Sequence, residues 1–318
     1  MELPSRNLAL ELVRVTETAA IAASKWIGRG AKNDADQAAV EAMRELISTV
    51  SMDGVVVIGE GEKDDAPMLF NGEKVGDGTG PKVDVAVDPI DGTTLTAKGL
   101  NNAISVIALA SRGSMLNLSS GFYMLKLATG PEAADVIDIE APVAENLKRI
   151  AKAKHKSIEE LTVVTLDRPR HDQYVAEIRK AGARIKFITD GDVAGSIMAA
   201  RPNTGIDLLL DIGGTPEGVI SACAMRCLGG EIQGRLMPQS DSERQQILDA
   251  GLDINQIYTS KDLVKSDDIF MAATGITSGE FLQGIRFDEF RLYSQSIVMR
   301  SKTGTVRVIN TEHSHKPW

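Results

Sequence analysis

Residues 83–94 read VDVAVDPIDGTT, an apolar run interrupted by three carboxylates. Val83, Val85, Ala86 and Val87 have the character of an interior strand, yet Asp84, Asp88 and Asp91 punctuate it. Pro89 removes the ladder donor directly after Asp88. Carboxylates are rarely fully buried and need a partner when they are. The same residue type follows a second strand-like run: VVVI leads into GEGEKDD, with Glu60, Glu62, Asp64 and Asp65. Further along, TVVTL is followed by Asp167, Arg168 and Arg170, IKFIT by Asp190 and Asp192, and DLLLDI by GGTPEG with Glu217. Ligands in open α/β sheets sit beyond the carboxyl ends of strands, so these loops are where chemistry would be placed. A set of oxygen donors suits a hard divalent cation such as Mg²⁺ or Mn²⁺. No His/Cys cluster is offered to zinc, since the four histidines are His155, His171, His313 and His315. Arginines ahead of a helix start suit a phosphate.

Each of these residues also has an ordinary structural reading. Glu60, Glu62, Asp64 and Asp65 read equally as solvated loop acids. Asp36 and Glu217 suit the positive end of a helix dipole, and Asp190-Gly191-Asp192 suits a turn. Tyr123 and Trp26 read as core. The group Asp88, Asp91, Gly92 and Thr93 is the hardest to explain as scaffolding, because Asp88 ends an apolar strand and the proline fixes the next φ.

The elements that must position these residues follow from periodicity. Leu8, Leu12, Val15, Ala19, Ala22 and Trp26 predict a first helix that Gly28 and Gly30 end. A second is predicted from an N-cap at Asn33 or Asp34, which puts Asp36 in its first turn. GVVVIG, VDVAVD, AISVIALA, FYMLKLA and ADVIDI predict strands up to about Ile139, and PVAENLKRIAKAKH a bridging helix. Strand then alternates with helix three times: TVVTL with HDQYVAEIRKAG, IKFIT with DVAGSIMAA, and DLLLDI with PEGVISACAMRCLG. The fold class expected is α/β, in two domains. Residues 1–158 would form a metal-binding α+β domain with a mainly antiparallel sheet, and residues 159–318 an α/β substrate-binding domain on a largely parallel sheet. DIFMAATGI predicts a further strand, and SIVMR–SKTG–TVRVIN a hairpin.

Composition bounds the function. Of 318 residues, 43% are hydrophobic and 25% charged, the balance of an ordinary globular chain. Met1 to Leu10 has no apolar segment of a signal peptide, and no apolar stretch approaches the roughly 20 residues of a membrane helix. A net charge of -9 argues against nucleic acid as a partner. Cys223 and Cys227 lack zinc or redox spacing and read as core in a reducing cytoplasm. There is no P-loop motif and no G-x-S-x-G, and GDGTG at 76–80 lacks the Rossmann spacing.

At Asp88-Pro89-Ile90-Asp91-Gly92-Thr93 the sequence resembles the metal-dependent, lithium-sensitive sugar-phosphatase superfamily, whose signature is D-P-[IL]-D-[GS]-T. Together with RVTETAAIAASKWIGRGAKNDAD, VVIGEGEKDDAPML, DRPRHD, TDGDVA, GGTPEGV and ATGIT, in that order, it is similar to the bacterial class II fructose-1,6-bisphosphatases from about Leu8 to about Ile309. The superfamily's W-D is missing and GGTPEG stands in its place, as in class II. Some class II members carry Glu where this chain has Asp91. The resemblance implies a layered αβαβα fold and a homo-oligomer, dimer or tetramer. By the matched motifs it implies that Asp36, Glu60, Asp88, Asp91 and Glu217 bind Mg²⁺ or Mn²⁺, and that Thr93 and Asp64 orient and deprotonate the attacking water. The substrate positions it implies are Asp91, Gly92, Thr93, Tyr123, Arg168, Pro169, Arg170, Asp190, Gly191, Asp192 and Gly214.

The activity so implied is hydrolysis of the 1-phosphate of fructose 1,6-bisphosphate, as in gluconeogenesis. Phosphate-monoester hydrolysis is very slow unaided, and two metals about 4 Å apart suit it. The alternatives are sedoheptulose 1,7-bisphosphatase activity, inositol monophosphatase activity, and a non-catalytic metal- or sugar-phosphate-binding regulator. Two phosphate-facing clusters favour a bisphosphate, and the presence of Thr93 and Asp64 counts against the regulator.

Overall fold

A computed structural model describes residues 8–59, 68–118 and 121–314. Its helices are α1 (Ala9–Ser24), α2 (Lys32–Ile47), α3 (Thr93–Lys98), α4 (Val143–Ala153), α5 (Asp172–Ala181), α6 (Asp192–Ala200), α7 (Thr215–Leu228), α8 (Asp241–Asp249) and α9 (Ser260–Leu263). One mixed sheet holds β1 (Asp53–Ile58), β2 (Lys74–Val75), β3 (Lys82–Asp91), β4 (Ile104–Ser111), β11 (Phe270–Gly275), β12 (Arg286–Phe287), β13 (Arg291–Arg300) and β14 (Thr305–Ser314). The other holds β5 (Tyr123–Thr129), β6 (Thr162–Leu166), β7 (Arg184–Ile188), β8 (Leu208–Gly214), β9 (Glu231–Leu236) and β10 (Ile257–Thr259). No described helix is long and apolar enough to cross a membrane.

The strand period of two sorts the core into layers. On β3, Val83, Val85 and Val87 face α1 and α2, packing with Leu12, Met43 and Ile47. Ala86, on the opposite face, joins a middle layer where Val193 and Ile197 of α6 and Val219 and Cys223 of α7 sit between the sheets. The far face of the second sheet, with Leu125, Leu127 and Leu210, packs on Leu147 and Ile150 of α4 and Ile178 of α5. The order is therefore helix pair, sheet, helix pair, sheet, helix pair, the layered αβαβα arrangement. Cys223 and Cys227 are buried free thiols of that middle layer.

Sheet membership does not follow the expected break near residue 158. Strand β5 already belongs to the second sheet, and β11 to β14 return to the first, where β11 inserts between β4 and β13. The second sheet is thus an insertion between β4 and β11, a long-range pairing that local periodicity does not encode. It is parallel only across β7–β6–β8, and β5, β9 and β10 pair antiparallel. The segment ADVIDI is not a strand. Ile137 and Ile139 are buried, but the backbone of Asp138 and Ile139 is met by the side chains of Asn146 and Gln233 instead of a ladder. Helix α2 starts at Lys32, with Ala31 as its N-cap in place of the expected Asn33 or Asp34, and Lys32 Nζ donates to Thr94 Oγ1 at 2.7 Å. Asp36 consequently lies beyond the first turn, so the helix dipole does not explain it. The predicted C-terminal hairpin is β13 and β14, joined by a 3₁₀ turn at Ser301–Thr303.

Candidate active site

Asp88 and Asp91 are three apart, and on a regular strand they would face opposite ways. A bulge corrects this. Asp88 pairs with Val106 and Asp91 with Ile104, so Pro89 and Ile90 together oppose the single residue Ser105. The proline, unable to donate, occupies a position where the ladder is already broken. The peptide is tied down locally, with Ile90 N donating to Asp88 Oδ1 at 3.0 Å. Both carboxylates then reach a cleft of about 370 Å³ between the two sheets.

The walls of this cleft come from different layers. Asp36 of α2, Asp88 and Asp91 of β3, and Gly92 and Thr93 at the start of α3 form one side. Arg168 and Arg170 after β6, Asp190 and Gly191 after β7, Asp192 at the start of α6, and Gly214 and Glu217 around the start of α7 form the other. The walls exchange carboxylates. Ala194 N, in the first turn of α6, donates to Asp91 Oδ2 at 3.1 Å, and Thr94 N, in the first turn of α3, donates to Asp190 Oδ2 at 2.8 Å. Each helix start thereby receives an anion from the opposite sheet. Gly191 has a φ of +73°, and a Cβ there would stand 3.3 Å from Asp91 O, so a side chain would push the walls apart.

Electrostatically the cleft carries uncompensated acid. Burial holds the Asp91 carboxyl well above its ordinary range, Asp192 adds to this, the Ala194 N–H works against it, and Glu217 and Asp190 raise it further. Glu217 is raised by burial and then by Asp192, against the pull of Lys126, and its Oε2 is buried with no partner among the described residues. Asp36 is raised by burial alone. Carboxylates crowded along one cleft suit a hard cation, whose charge would offset their mutual repulsion. Among the described residues no three His, Cys, Asp or Glu side chains form a group that would hold a metal ion. Glu60, Glu62, Asp64 and Asp65 lie outside the described residues.

A family model for bacterial fructose-1,6-bisphosphatase, glpX-encoded, matches residues 6–313 of this chain. The chain belongs to that family. A class 2 fructose-1,6-bisphosphatase from Haemophilus influenzae is 45% identical over 322 residues, covering 97% of this chain and 96% of that one. Fructose-1,6-bisphosphatase 1 class 2 of Escherichia coli K12 is 44% identical over 321 residues, covering 97% and 95%. Among solved structures, an inositol monophosphatase from Anabaena (Nostoc) sp. PCC 7120 matches at 13% identity over 61% of this chain and 71% of that chain, with a TM-score of 0.31.

Of the described residues named as site positions from the sequence, all but Pro169 and Tyr123 line this cleft. Pro169 stands between the two arginines and opens the 3₁₀ turn Pro169–His171, and the Tyr123 ring lies under Arg170, 5.1 Å from centroid to Cζ. Arg168 Nη2 donates to Thr189 O at 2.6 Å and Arg170 Nε to Ile212 O at 2.8 Å, so both guanidinium groups are anchored through backbone carbonyls. Asp84, the third carboxylate of the strand, is elsewhere. It is buried at the other end of β3, accepting from Ser114 N at 2.8 Å and Met115 N at 3.0 Å.

Sequence reasoning missed three residues behind the cleft. Lys126 and Asp211 are fully buried and face each other across β5 and β8. Asp211 has no partner on either oxygen among the described residues, and burial pushes its carboxyl up to about 8 against the pull of Lys126. His171, predicted to begin a helix, is fully buried, and its Nε2 accepts from Ile212 N at 2.6 Å. Burial, then Arg170, lowers it to about 4, so it is a neutral strut behind the arginines. The signal for the first two was present: a charge inside FYMLKLA and inside DLLLDI poses the same question as the acids in VDVAVD.

Proposed function

We propose that this chain hydrolyses the 1-phosphate of fructose 1,6-bisphosphate, giving fructose 6-phosphate and inorganic phosphate. The observation that carries the reading is a single cleft with an acidic wall and a separate pair of anchored arginines, in a chain of this family. Asp36, Asp88, Asp91 and Glu217, with Glu60, would hold Mg²⁺ or Mn²⁺. The bound cation supplies Lewis-acid stabilisation of the charge that develops on the phosphoryl group.

The chain's own residues supply positioning and proton transfer. Thr93 opens α3 with Oγ1 donating to Ile90 O at 3.3 Å, a placement from which the hydroxyl can turn to hold a water in line. Asp64 takes the proton of that water as its oxygen bonds to phosphorus, the bond to the sugar oxygen breaks, and the departing alkoxide takes a proton from solvent water. Arg168 and Arg170 hold the phosphate that is not cleaved, and Asp190 and Asp192 accept from sugar hydroxyls. The enzyme is read as cytoplasmic from its free thiols Cys223 and Cys227, and as a homo-oligomer from exposed Phe287 and Phe290, 50% and 72% accessible, at the edge of the first sheet.

The test is phosphate release by the purified protein with Mg²⁺ or Mn²⁺, an EDTA control, and sedoheptulose 1,7-bisphosphate and inositol 1-phosphate in parallel. Metal-dependent release fastest with fructose 1,6-bisphosphate is expected. Faster release from another substrate would overturn the assignment of the arginines, and metal-independent release would overturn the role of the acids.

A further inference from the structure

We infer that Lys126 is a positioning residue that presents Asp192 and the Gly213–Gly214 end of β8 to the sugar, an inference that rests on the function proposed for the cleft. Lys126 sits in the middle of β5 with no exposed surface, and it is not among the residues that line the cleft. It therefore acts through what it holds.

Its Nζ forms an ion pair with Asp192 Oδ2 and donates to Gly214 O at 3.2 Å. The stem passes through a channel kept open by glycines. A Cβ on Gly213 would stand 2.8 Å from Nζ and would collide with Asp192 Oδ2, and one on Gly218 would stand 3.5 Å from Lys126 Cδ and 3.0 Å from Met124 Sδ. With Oδ2 fixed by the ammonium, Oδ1 of Asp192 is left as a buried acceptor with no partner among the described residues, on a side chain that lines the cleft. A hydroxyl donor on the ligand is the chemistry that satisfies it.

The lysine also decides where Asp192 can rest. Without a cation, Asp192 would be repelled by Asp91, Asp211 and Glu217, all of which sense its charge. The same acids keep the ammonium protonated: burial would lower its pKa, but Asp192, Asp211 and Glu217 together hold it above the ordinary lysine range. One buried cation thus steers one carboxylate out of several. An aliphatic side chain of similar length would fill the channel and leave Asp192 free to swing.

Lys126→Met tests this directly, but it strips a fully buried cation from a nest of acids and can fail to fold. Lys126→Met/Asp211→Asn also replaces the buried acid paired with the lysine across β5 and β8 by a neutral isostere, and leaves Asp192 intact. Binding of fructose 6-phosphate and of inorganic phosphate is measured by calorimetry with metal present, alongside KM and kcat. In the folded double variant, fructose 6-phosphate is expected to bind about tenfold more weakly, about 1.4 kcal/mol, while inorganic phosphate changes less than about twofold. KM for fructose 1,6-bisphosphate rises in parallel, and kcat stays within about threefold. Sugar-phosphate affinity equal to that of Asp211→Asn alone, or an equal loss for both ligands, would overturn the inference. Wild-type protein that neither binds fructose 6-phosphate nor releases phosphate would instead overturn the reading of the cleft, and that is visible before any variant is compared.

Discussion

The two ends of β3 bury an aspartate each and use it in opposite ways. At the outer end, Asp84 accepts two backbone N–H groups and lies 3.8 Å from Arg112 Nε, so its charge is met by donors the chain itself supplies. At the cleft end, Asp91 accepts from one N–H among the described residues, that of Ala194, and is surrounded by Asp192, Glu217 and Asp190. Both are almost inaccessible, 2% and 3% exposed, so burial does not distinguish a scaffold acid from a site acid. What distinguishes them is whether the neighbourhood neutralises the charge or compounds it.

The largest expected effect lies beside Asp91. Asp88→Asn should reduce phosphate release at least about 1,000-fold, about 4 kcal/mol, with an unchanged circular dichroism melting curve. Appreciable activity in that variant would remove the cleft acids from the chemistry. Asp84→Ala should do the reverse, costing about 3 kcal/mol in urea unfolding because two buried N–H groups lose their acceptor, while activity per folded molecule is retained. Asp91→Asn should differ in sign, raising the stability of metal-free protein by about 1 kcal/mol as it relieves repulsion, and lowering activity. A destabilised Asp91→Asn would place that residue with Asp84.

A smaller, pH-dependent effect follows from Asp211. Its folded-state value, about 8, lies above that of an unfolded aspartate, so the fold favours the protonated carboxyl. The stability it contributes is complete below about pH 4 and is lost as pH rises through about 8. The Tm of metal-free protein should fall from pH 5 to 8.5, and Asp211→Asn should flatten that slope. The smallest effect belongs to Arg112, about one-third exposed, which should cost about 1 kcal/mol or less as Arg112→Ala because the two backbone donors to Asp84 remain.

Much of this was legible in the sequence, for reasons that can be named. Three helices of the second half, α5, α6 and α7, were read nearly to the residue, because each begins where a strand has just ended, whereas α8 and α9 were not anticipated. The cleft acids stood out because carboxylates interrupt apolar strands. The same logic, left unapplied to Lys126 and Asp211, would have found the charges behind the cleft. Asp84 shows its limit, since the sequence cannot tell which buried acid will find N–H donors thirty residues away. The bulge was not legible either. Pro89 announced a break in the ladder, but its effect, putting Asp88 and Asp91 on one side, depends on the register with β4.

The return of β11 to the first sheet has a consequence for biosynthesis. Strand β4 is buried almost throughout in the finished protein, yet its neighbour on one side, β11, lies about 165 residues later in the chain. During translation the whole second sheet is made before that neighbour exists. Until Phe270–Gly275 is available, Ile104–Ala110 is an unpaired apolar edge of the kind that recruits foreign strands. The nascent chain must keep that edge occupied or shielded, and truncations that end before β11 should aggregate rather than yield an independently folded amino-terminal half.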